Sequence, residues 1–252
     1  AAAEISARLG RDGSIIALKT TIAIPPFMRE QGARLFDNRT TIAAREESAG
    51  QADPLALSGA VPDYEIPNLA VDHVPVSIGL PVARMRGGGD ALSAFFTESF
   101  IDELAEALGR EKLSYRVAML GPDLKMVEVL QRAARLAEWN GGEVASGQGL
   151  ACHKMTLGTR SGRIACVAEA RAGEGGVRVT RLSAAVDIGR IVNLDLARQQ
   201  IEGGLIYGLS LAVGSAIGFN GGLPTTSRLA GLNLPTLADS PQIAVEFVAS
   251  DD

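Results

Sequence analysis

The sequence predicts an α+β fold with antiparallel and mixed sheets and packed helices. Its 252 residues are 46% hydrophobic, which is enough to bury a sizeable core. Alternating apolar and polar stretches indicate strands that come in pairs, and helical periodicity indicates helices between those pairs. Because single strands and helices do not follow one another at regular spacing, the pattern favours α+β over a doubly wound parallel sheet.

The chain is expected to open with two antiparallel strands. Residues 4–11 and 14–24 flank Asp12-Gly13, a dipeptide that strongly favours a hairpin turn. Residues 27–63 have a weak pattern with scattered glycines, which indicates irregular structure with one short helix. Residues 66–78 contain two prolines and predict an extended edge or crossing strand.

A glycine-rich turn then leads into a strongly periodic helix. Its large apolar residues recur at helical spacing: Phe96, Phe100, Ile101, Leu104 and Leu108. We expect Asp90 or Ser93 to cap its start and Gly109 to follow its end. Three glycines after Arg86 permit positive φ and a close approach of backbone N–H groups, and the helix N-terminus favours an anion. The turn is either an anion or polar-ligand site, or a flexible strand-to-helix connection in which Arg86 is solvated or paired to a neighbouring carboxylate.

The remaining elements alternate in the same way. Helices are predicted over residues 113–120, 123–139 and 194–213, and strands over 147–151, 163–172, 177–186 and 242–248, with hairpin turns at 173–176 and 220–222. The elements divide into a first lobe, residues 1–120, and a second lobe, residues 121–252. The chain opens without methionine and already in a strand pattern, so we expect both lobes to be part of a larger subunit.

Composition excludes several classes of function. The net charge of -5, with no cluster of basic and aromatic residues, argues against nucleic acid or an anionic membrane as a partner. Residues 203–227 carry no charge, but their glycines and short apolar core predict a buried helix packed through its glycines rather than a membrane span. Two cysteines make no disulfide framework, so they indicate no particular compartment.

Few side chains are candidates for catalysis. His73 and His153 lie in neither a triad nor a zinc motif, and we expect them to be structural or exposed. Cys152 precedes His153, but neighbours on a strand point to opposite faces, so they do not form a nucleophile and base directly. One helix carries four carboxylates, which suit either a paired acid site or, more commonly, an exposed helix face: Glu98, Asp102, Glu103 and Glu106.

A second informative segment surrounds Gln200. A strand ends at Asp187, and Asn193 or Asp195 can cap the helix that follows. Gln200 lies inside this helix, just before two glycines. Its amide can donate and accept hydrogen bonds to a heterocycle at once, or it bonds a neighbouring loop while the glycines serve helix packing.

Four ordered motifs in residues 66–248 together resemble one family. They are Met85-Arg86-Gly87-x-Gly89 with the helix after it; Gly147-x-Gly149-x-Ala151 with Val167-Ala168-Glu169; Val186-Asp187-x-Gly189-x-x-Val192-Asn193 with Gln200-x-Glu202-Gly203-Gly204-x-x-x-Gly208-Leu209; and Pro241-x-Ile243. The set resembles the molybdopterin-binding subunits of the xanthine dehydrogenase and aldehyde oxidase family, most closely the isoquinoline 1-oxidoreductase β-subunit type. Each motif alone is unspecific.

The resemblance implies a molybdenum hydroxylase, which inserts water-derived oxygen into an N-heterocycle or aldehyde. It implies a molybdopterin cofactor in the cytosine dinucleotide form and iron–sulfur clusters on a partner electron-transfer subunit. By position, it makes Arg86, the backbone of Gly87 and Gly88, and Gln200 the cofactor contacts. It implies no metal ligand in this chain.

The chain also departs from the family. The family's catalytic glutamate, in a Gly-Glu motif near the subunit's C-terminus, has no counterpart, so we expect no catalytic residue here and no activity of the fragment alone. Leu194 replaces a proline, and the stretch Arg228 to Leu232 lacks the usual asparagine and aromatic residues. Two alternatives remain: a non-catalytic binding or assembly domain that has lost the cofactor, and a nucleotide-binding enzyme that uses the glycine turn.

Overall fold

The chain forms two compact units. The computed structural model describes residues 1–142, 146–173, 176–214, 216–221, 223–232 and 234–249. The first unit comprises residues 1–127 and 152–160, and the second comprises residues 128–151 and 161–252. Within the described ranges no helix is both long and apolar enough to cross a membrane. The two lobes expected from the sequence, 1–120 and 121–252, stay a prediction.

The first unit is built on a three-stranded sheet. Strands β1 (Ala2–Leu9) and β2 (Ile15–Ile24) pair antiparallel, and β3 (Leu69–Pro75) pairs parallel to β2, in the order β1-β2-β3. The predicted hairpin is confirmed, with Gly13 at φ 79°. A core cluster covers the sheet: Ile22, Ile24, Phe27, Ala56 and Ala60.

The segment between β2 and β3 is more helical than its sequence indicates. It contains α1 (Phe27–Leu35), α2 (Thr41–Ser48) and a short 3-10 helix at Pro54–Leu57, so the expectation of one short helix is wrong. The Asp53 carboxylate accepts the N–H groups of Met28 and Arg29 at 2.8 and 3.2 Å. These two bonds satisfy N–H donors at the start of α1. Because their acceptor lies far along the chain, a local sequence pattern cannot predict them.

Three helices follow the sheet. They are α3 (Gly88–Ala107), α4 (Lys112–Met119) and α5 (Leu124–Leu136), close to the predicted positions. Gly109, at φ 61°, follows the end of α3 as predicted. The expected cap by Asp90 or Ser93 is wrong, because Gly87 is the N-cap and no side chain bonds there.

The second unit contains the remaining elements, in the order β4 (Gln148–Leu157), β5 (Arg160–Gly173), β6 (Gly176–Asp187), α6 (Leu194–Val213), β7 (Phe219–Asn220), β8 (Leu223–Pro224) and β9 (Gln242–Phe247). The end of β4 belongs to the first unit. The sheet order is β4-β5-β6-β9, with β5 antiparallel and β9 parallel to β6. The mixed sheets confirm the α+β class, and the helix at 194–213 and both hairpins are confirmed; turn residues 174, 175 and 222 lie outside the described ranges.

Candidate functional site

The turn that carries Arg86 lies at the N-terminus of α3, in the first unit. The N–H of Gly88 donates to the carbonyl of Met85 at 2.9 Å and closes a four-residue turn. Gly87, third in this turn, has φ 88° and ψ -20°, a left-handed conformation that favours glycine. Arg86, second in the turn, is exposed. The turn therefore combines an arginine with the N–H groups that begin a helix, which is a combination suited to an anion.

Helix α1 holds the segment before this turn. The N–H of Val82 donates to the Glu30 carboxylate at 3.0 Å, and the N–H of Arg84 donates to the side-chain oxygen of Gln31 at 2.7 Å. Glu30 is only 2% exposed, so its bond to Val82 is shielded from water. The backbone that leads into the turn is thus fixed by side chains of a helix whose position the sequence pattern did not predict.

Gly89 allows the start of α3 to pack directly against the 3-10 helix of the first unit. A Cβ at Gly89 would lie 2.5 Å from the carbonyl oxygen of Ala56 and 2.7 Å from the nitrogen of Ser58. Both are backbone atoms and cannot rotate away. The close approach needs a residue without a side chain, which explains the third glycine after Arg86.

A buried charge network lies farther along α3. Oε1 of Glu98 accepts the Tyr64 O–H at 2.7 Å, and Oε2 accepts both the Arg116 Nε–H and the Cys152 N–H at 2.9 Å. The Arg116 side chain is fully buried and also pairs with Asp102 at 2.7 Å. The prediction of an exposed carboxylate face is therefore wrong for Glu98, although Glu103 and Glu106 are exposed.

The pKa values of Arg116 and Tyr64 indicate that this network is structural rather than a site of proton transfer. Burial is the largest single effect and disfavours the charged guanidinium, but Glu98, Tyr64 and Asp102 together outweigh it and raise the pKa of Arg116 above its ordinary value. Burial, followed by the Glu98 charge, raises the pKa of Tyr64 well above its usual value. A permanently charged Arg116 and a neutral Tyr64 suit a structural joint better than an acid or base.

Cys152 is not a nucleophile in this environment. It is 8% exposed, and burial together with the Glu98 charge raises the pKa of its thiol well above the ordinary value. We expect iodoacetamide at pH 8 to leave Cys152 unmodified in the folded protein and to modify it fully after denaturation in urea. Peptide mass spectrometry measures both states, and rapid modification of the folded protein would contradict this assignment.

The two histidines bond to neighbouring groups of the first unit. His73 Nδ1 accepts the Asp53 N–H at 3.0 Å, and its Nε2 donates to the carbonyl of Ile24 at 3.0 Å. This confirms a structural role for His73. His153 Nε2 lies 3.1 Å from Oδ1 of Asp90. In the part of the chain that the structure describes, no group of three or more histidine, cysteine or acidic residues could hold a metal ion.

Gln200 lies in the second unit, on the exposed surface of α6. Asp187 is buried and its carboxylate accepts the Gly189 N–H at 3.1 Å, which forms the turn out of β6. Asn193 then caps the helix by accepting the Leu196 N–H at 2.9 Å, as one of the two predicted caps. Strand end, turn and cap fix the direction of α6 and so the face on which the Gln200 amide lies.

The expectation that α6 is buried and packed through its glycines is wrong within this chain. Among the described residues of α6, Leu209 is the one that is buried. A Cβ added at Gly203 or at Gly208 would meet no atom within 4 Å. The helix begins at its Asn193 cap, and Gly203 and Gly208 make no close approach to any of the described residues.

The predicted contact residues fall into two groups. Arg86, Gly87 and Gly88 are consecutive and share one turn of the first unit, whereas Gln200 belongs to the second. The Gly88 N–H is used inside the turn. Contacts from this turn would therefore come from the Arg86 side chain and from the N–H groups of Gly87 and of the first turn of α3.

One part of the chain matches a known domain model. Residues 145–241 match the model of the molybdopterin cofactor-binding domain, and this range includes Gln200. The chain is 27% identical over 248 residues to the β-subunit of isoquinoline 1-oxidoreductase from Brevundimonas diminuta, and 29% identical over 265 residues to a nicotinate dehydrogenase subunit from Pseudomonas putida. It aligns over 98% and 96% of its own length but spans only 30% and 21% of theirs.

Solved structures show the same fold over almost the whole chain. Quinoline 2-oxidoreductase from Pseudomonas putida 86 superposes with a TM-score of 0.70 at 12% identity, covering 98% of this chain and 55% of that chain. The aldehyde oxidoreductase of Desulfovibrio gigas superposes with a TM-score of 0.61 at 13% identity, covering 98% of this chain and 43% of that chain. These superpositions show a shared fold; together with the domain match and the two sequence relatives they confirm the resemblance to molybdopterin-binding subunits, and the chain spans only part of the length of those relatives.

Proposed function

We propose that this chain, which carries a molybdopterin cofactor-binding domain, is the cofactor-binding portion of a molybdenum hydroxylase. The enzyme would insert water-derived oxygen into an electrophilic carbon of an N-heterocycle or an aldehyde. The domain match over residues 145–241 carries the proposal, and the relatives named for isoquinoline, nicotinate and aldehydes support the substrate class. Because the chain spans 30% of the first relative, the activity belongs to the larger protein.

The turn at Arg86 fits the polar, phosphate-bearing part of such a cofactor. Gly87 takes its left-handed conformation without strain, and Arg86 is an exposed residue of the turn. N–H groups at a helix start and a guanidinium are the donors that proteins use for phosphate oxygens. We assign Arg86 and the backbone of Gly87 and Gly88 to this contact, where Gly88 shapes the turn through its bond to Met85, and we expect the dinucleotide form of the cofactor, in which cytosine is the base.

Gln200 fits a different part of the cofactor. A pterin ring presents donors and acceptors side by side, and an amide is the side chain that pairs with both at once. Gln200 is exposed on α6 inside the matched domain. We assign it to the pterin edge.

The bound cofactor would supply the two-electron oxidation, while the residues of this chain bind and orient it. The electrons would leave through an iron–sulfur partner subunit, in keeping with relatives that are themselves named as subunits. The remainder of the subunit and the small-molecule substrate complete the set of proposed partners.

Replacing Arg86 with alanine tests the cofactor assignment. In the complete subunit, R86A is expected to lower the molybdenum and pterin retained after dialysis about tenfold, the effect of losing one charged hydrogen bond to phosphate. Elemental analysis and pterin fluorescence measure the two contents. Arg11→Ala, at an exposed arginine of the first hairpin, is the matched control and should retain wild-type content. Equal contents in R86A and wild type would instead favour the non-catalytic binding or assembly domain.

A further inference from the structure

Three segments of the first unit meet beside the Arg86 turn. His153 on β4 places Nε2 at 3.1 Å from Oδ1 of Asp90, in the first turn of α3. Both side chains are half-buried, with 20% and 16% of their surface exposed. Gly59, at φ 75°, covers the pair so closely that a Cβ there would lie 2.8 Å from Oδ1 of Asp90 and 2.8 Å from Cε1 of His153. The pair is therefore enclosed rather than a loose surface contact.

The position of Asp90 in the first turn of α3 indicates what the Asp90–His153 pair does. Asp90 is the third residue of α3 after the N-cap Gly87, where an acidic side chain commonly folds back onto the backbone N–H of the N-cap. Here no side chain bonds the N-cap. The Asp90 carboxylate bonds His153 instead, away from the donors at the start of the helix.

Two arginines belong to the turn and the segment that leads into it. The Nε of Arg84 lies 3.2 Å from the point where a Cβ of Gly88 would stand, and Arg86 is exposed at the tip of the turn. On the other side of His153, Lys154 is paired with Asp63 at 3.2 Å. Asp90 is the acidic residue in the first turn of α3, so the placement of its carboxylate affects whether the helix start attracts or repels an anion.

We propose that His153 is a positioning residue for the cofactor turn. By donating to Asp90 it holds that carboxylate away from the N–H groups of Gly87 and of the first turn of α3, which leaves these donors to the phosphate of the cofactor. The inference rests on the proposed function, because it assumes that the Arg86 turn contacts the cofactor. It adds that a histidine on β4, outside the turn, controls the charge at this contact.

Freeing the Asp90 carboxylate from His153 should weaken the anion contact, and removing that carboxylate as well should restore the contact. In the complete subunit, H153L, which fills the space without a donor, is expected to lower retained pterin and molybdenum about three- to tenfold, the effect of one charge at a helix start. D90A should retain at least the wild-type content. The double variant H153L/D90A should return to within about twofold of D90A, since no carboxylate is left to compete.

The rescue separates positioning from a merely structural role. H153Q, which keeps an N–H donor, should retain wild-type content, and circular dichroism melting should show H153L folded. Wild-type content in H153L, or a double variant as low as H153L alone, would overturn the proposal. If R86A lowers the cofactor content while H153L does not, the positioning role of His153 is refuted and the proposed function stands. If R86A has no effect, the proposed function itself is refuted.

Discussion

Replacing Arg116 with methionine is expected to destabilise the protein by about 3–5 kcal/mol, because it leaves the buried Glu98 carboxylate without its counter-charge. Arg116 is fully buried, and its guanidinium meets both Glu98 and Asp102 on α3. It also donates to the backbone carbonyl of Glu98 at 3.1 Å. Methionine has similar volume but satisfies none of these acceptors. Urea unfolding of the complete protein, followed by circular dichroism, measures the loss.

An exposed arginine with two carboxylate partners supplies the matched control. Arg132 pairs with Glu128 and Glu246 but is 34% exposed, so R132M should cost no more than about 1 kcal/mol. The double variant R116M/E98Q should be more stable than R116M, because the glutamine side chain carries no buried charge. If R116M and R132M lose equal stability, the buried network does not hold α3 as we describe.

Replacing Gly89 with alanine is expected to cost about 1–3 kcal/mol and to lower cofactor retention at the same time. The added Cβ would lie 2.5 Å from the Ala56 carbonyl oxygen and 2.7 Å from the Ser58 nitrogen, so either α3 or the 3-10 helix has to move. Since Gly87 and Gly88 directly precede this contact, the displacement reaches the turn that carries Arg86. Thermal melting and pterin content of the complete subunit measure the two effects.

A glycine inside α6 makes the opposite prediction and serves as the control for Gly89. A Cβ at Gly203 meets nothing within 4 Å in this chain, so G203A should raise stability by about 0.5–1 kcal/mol through the better helix propensity of alanine. A G89A variant as stable as wild type would refute the close approach at the start of α3. A destabilised G203A would indicate that other parts of the larger subunit pack against α6.

Local signals predicted the elements whose ends are set by their own residues. The first hairpin follows from Asp12-Gly13, and Gly13 has the positive φ that such a turn requires. Helix α6 runs over the predicted range because its cap is local: Asn193 accepts the N–H of Leu196, three residues along the chain. The Arg86 turn was likewise identified because consecutive glycines before a helix have few structural alternatives.

Interactions between distant residues escaped the sequence. The sequence predicted one short helix between β2 and β3 but not the positions of α1 and α2, because the start of α1 is completed by Asp53, which lies 25 residues from Met28. Thr40, which accepts the Ala43 N–H at the start of α2, was a cap signal available in the sequence.

The sequence by itself therefore determined the fold class, the order of the elements and the glycine turn beside Arg86, because periodicity, caps and turns act over a few residues. Only the tertiary structure decided which carboxylates of α3 are buried. Glu98 meets Arg116 from α4 and Cys152 from β4, and Asp90 meets His153, pairings that span 18, 54 and 63 residues. Such contacts depend on how sheets and helices pack, and the spacing of residues along one helix carries no information about them.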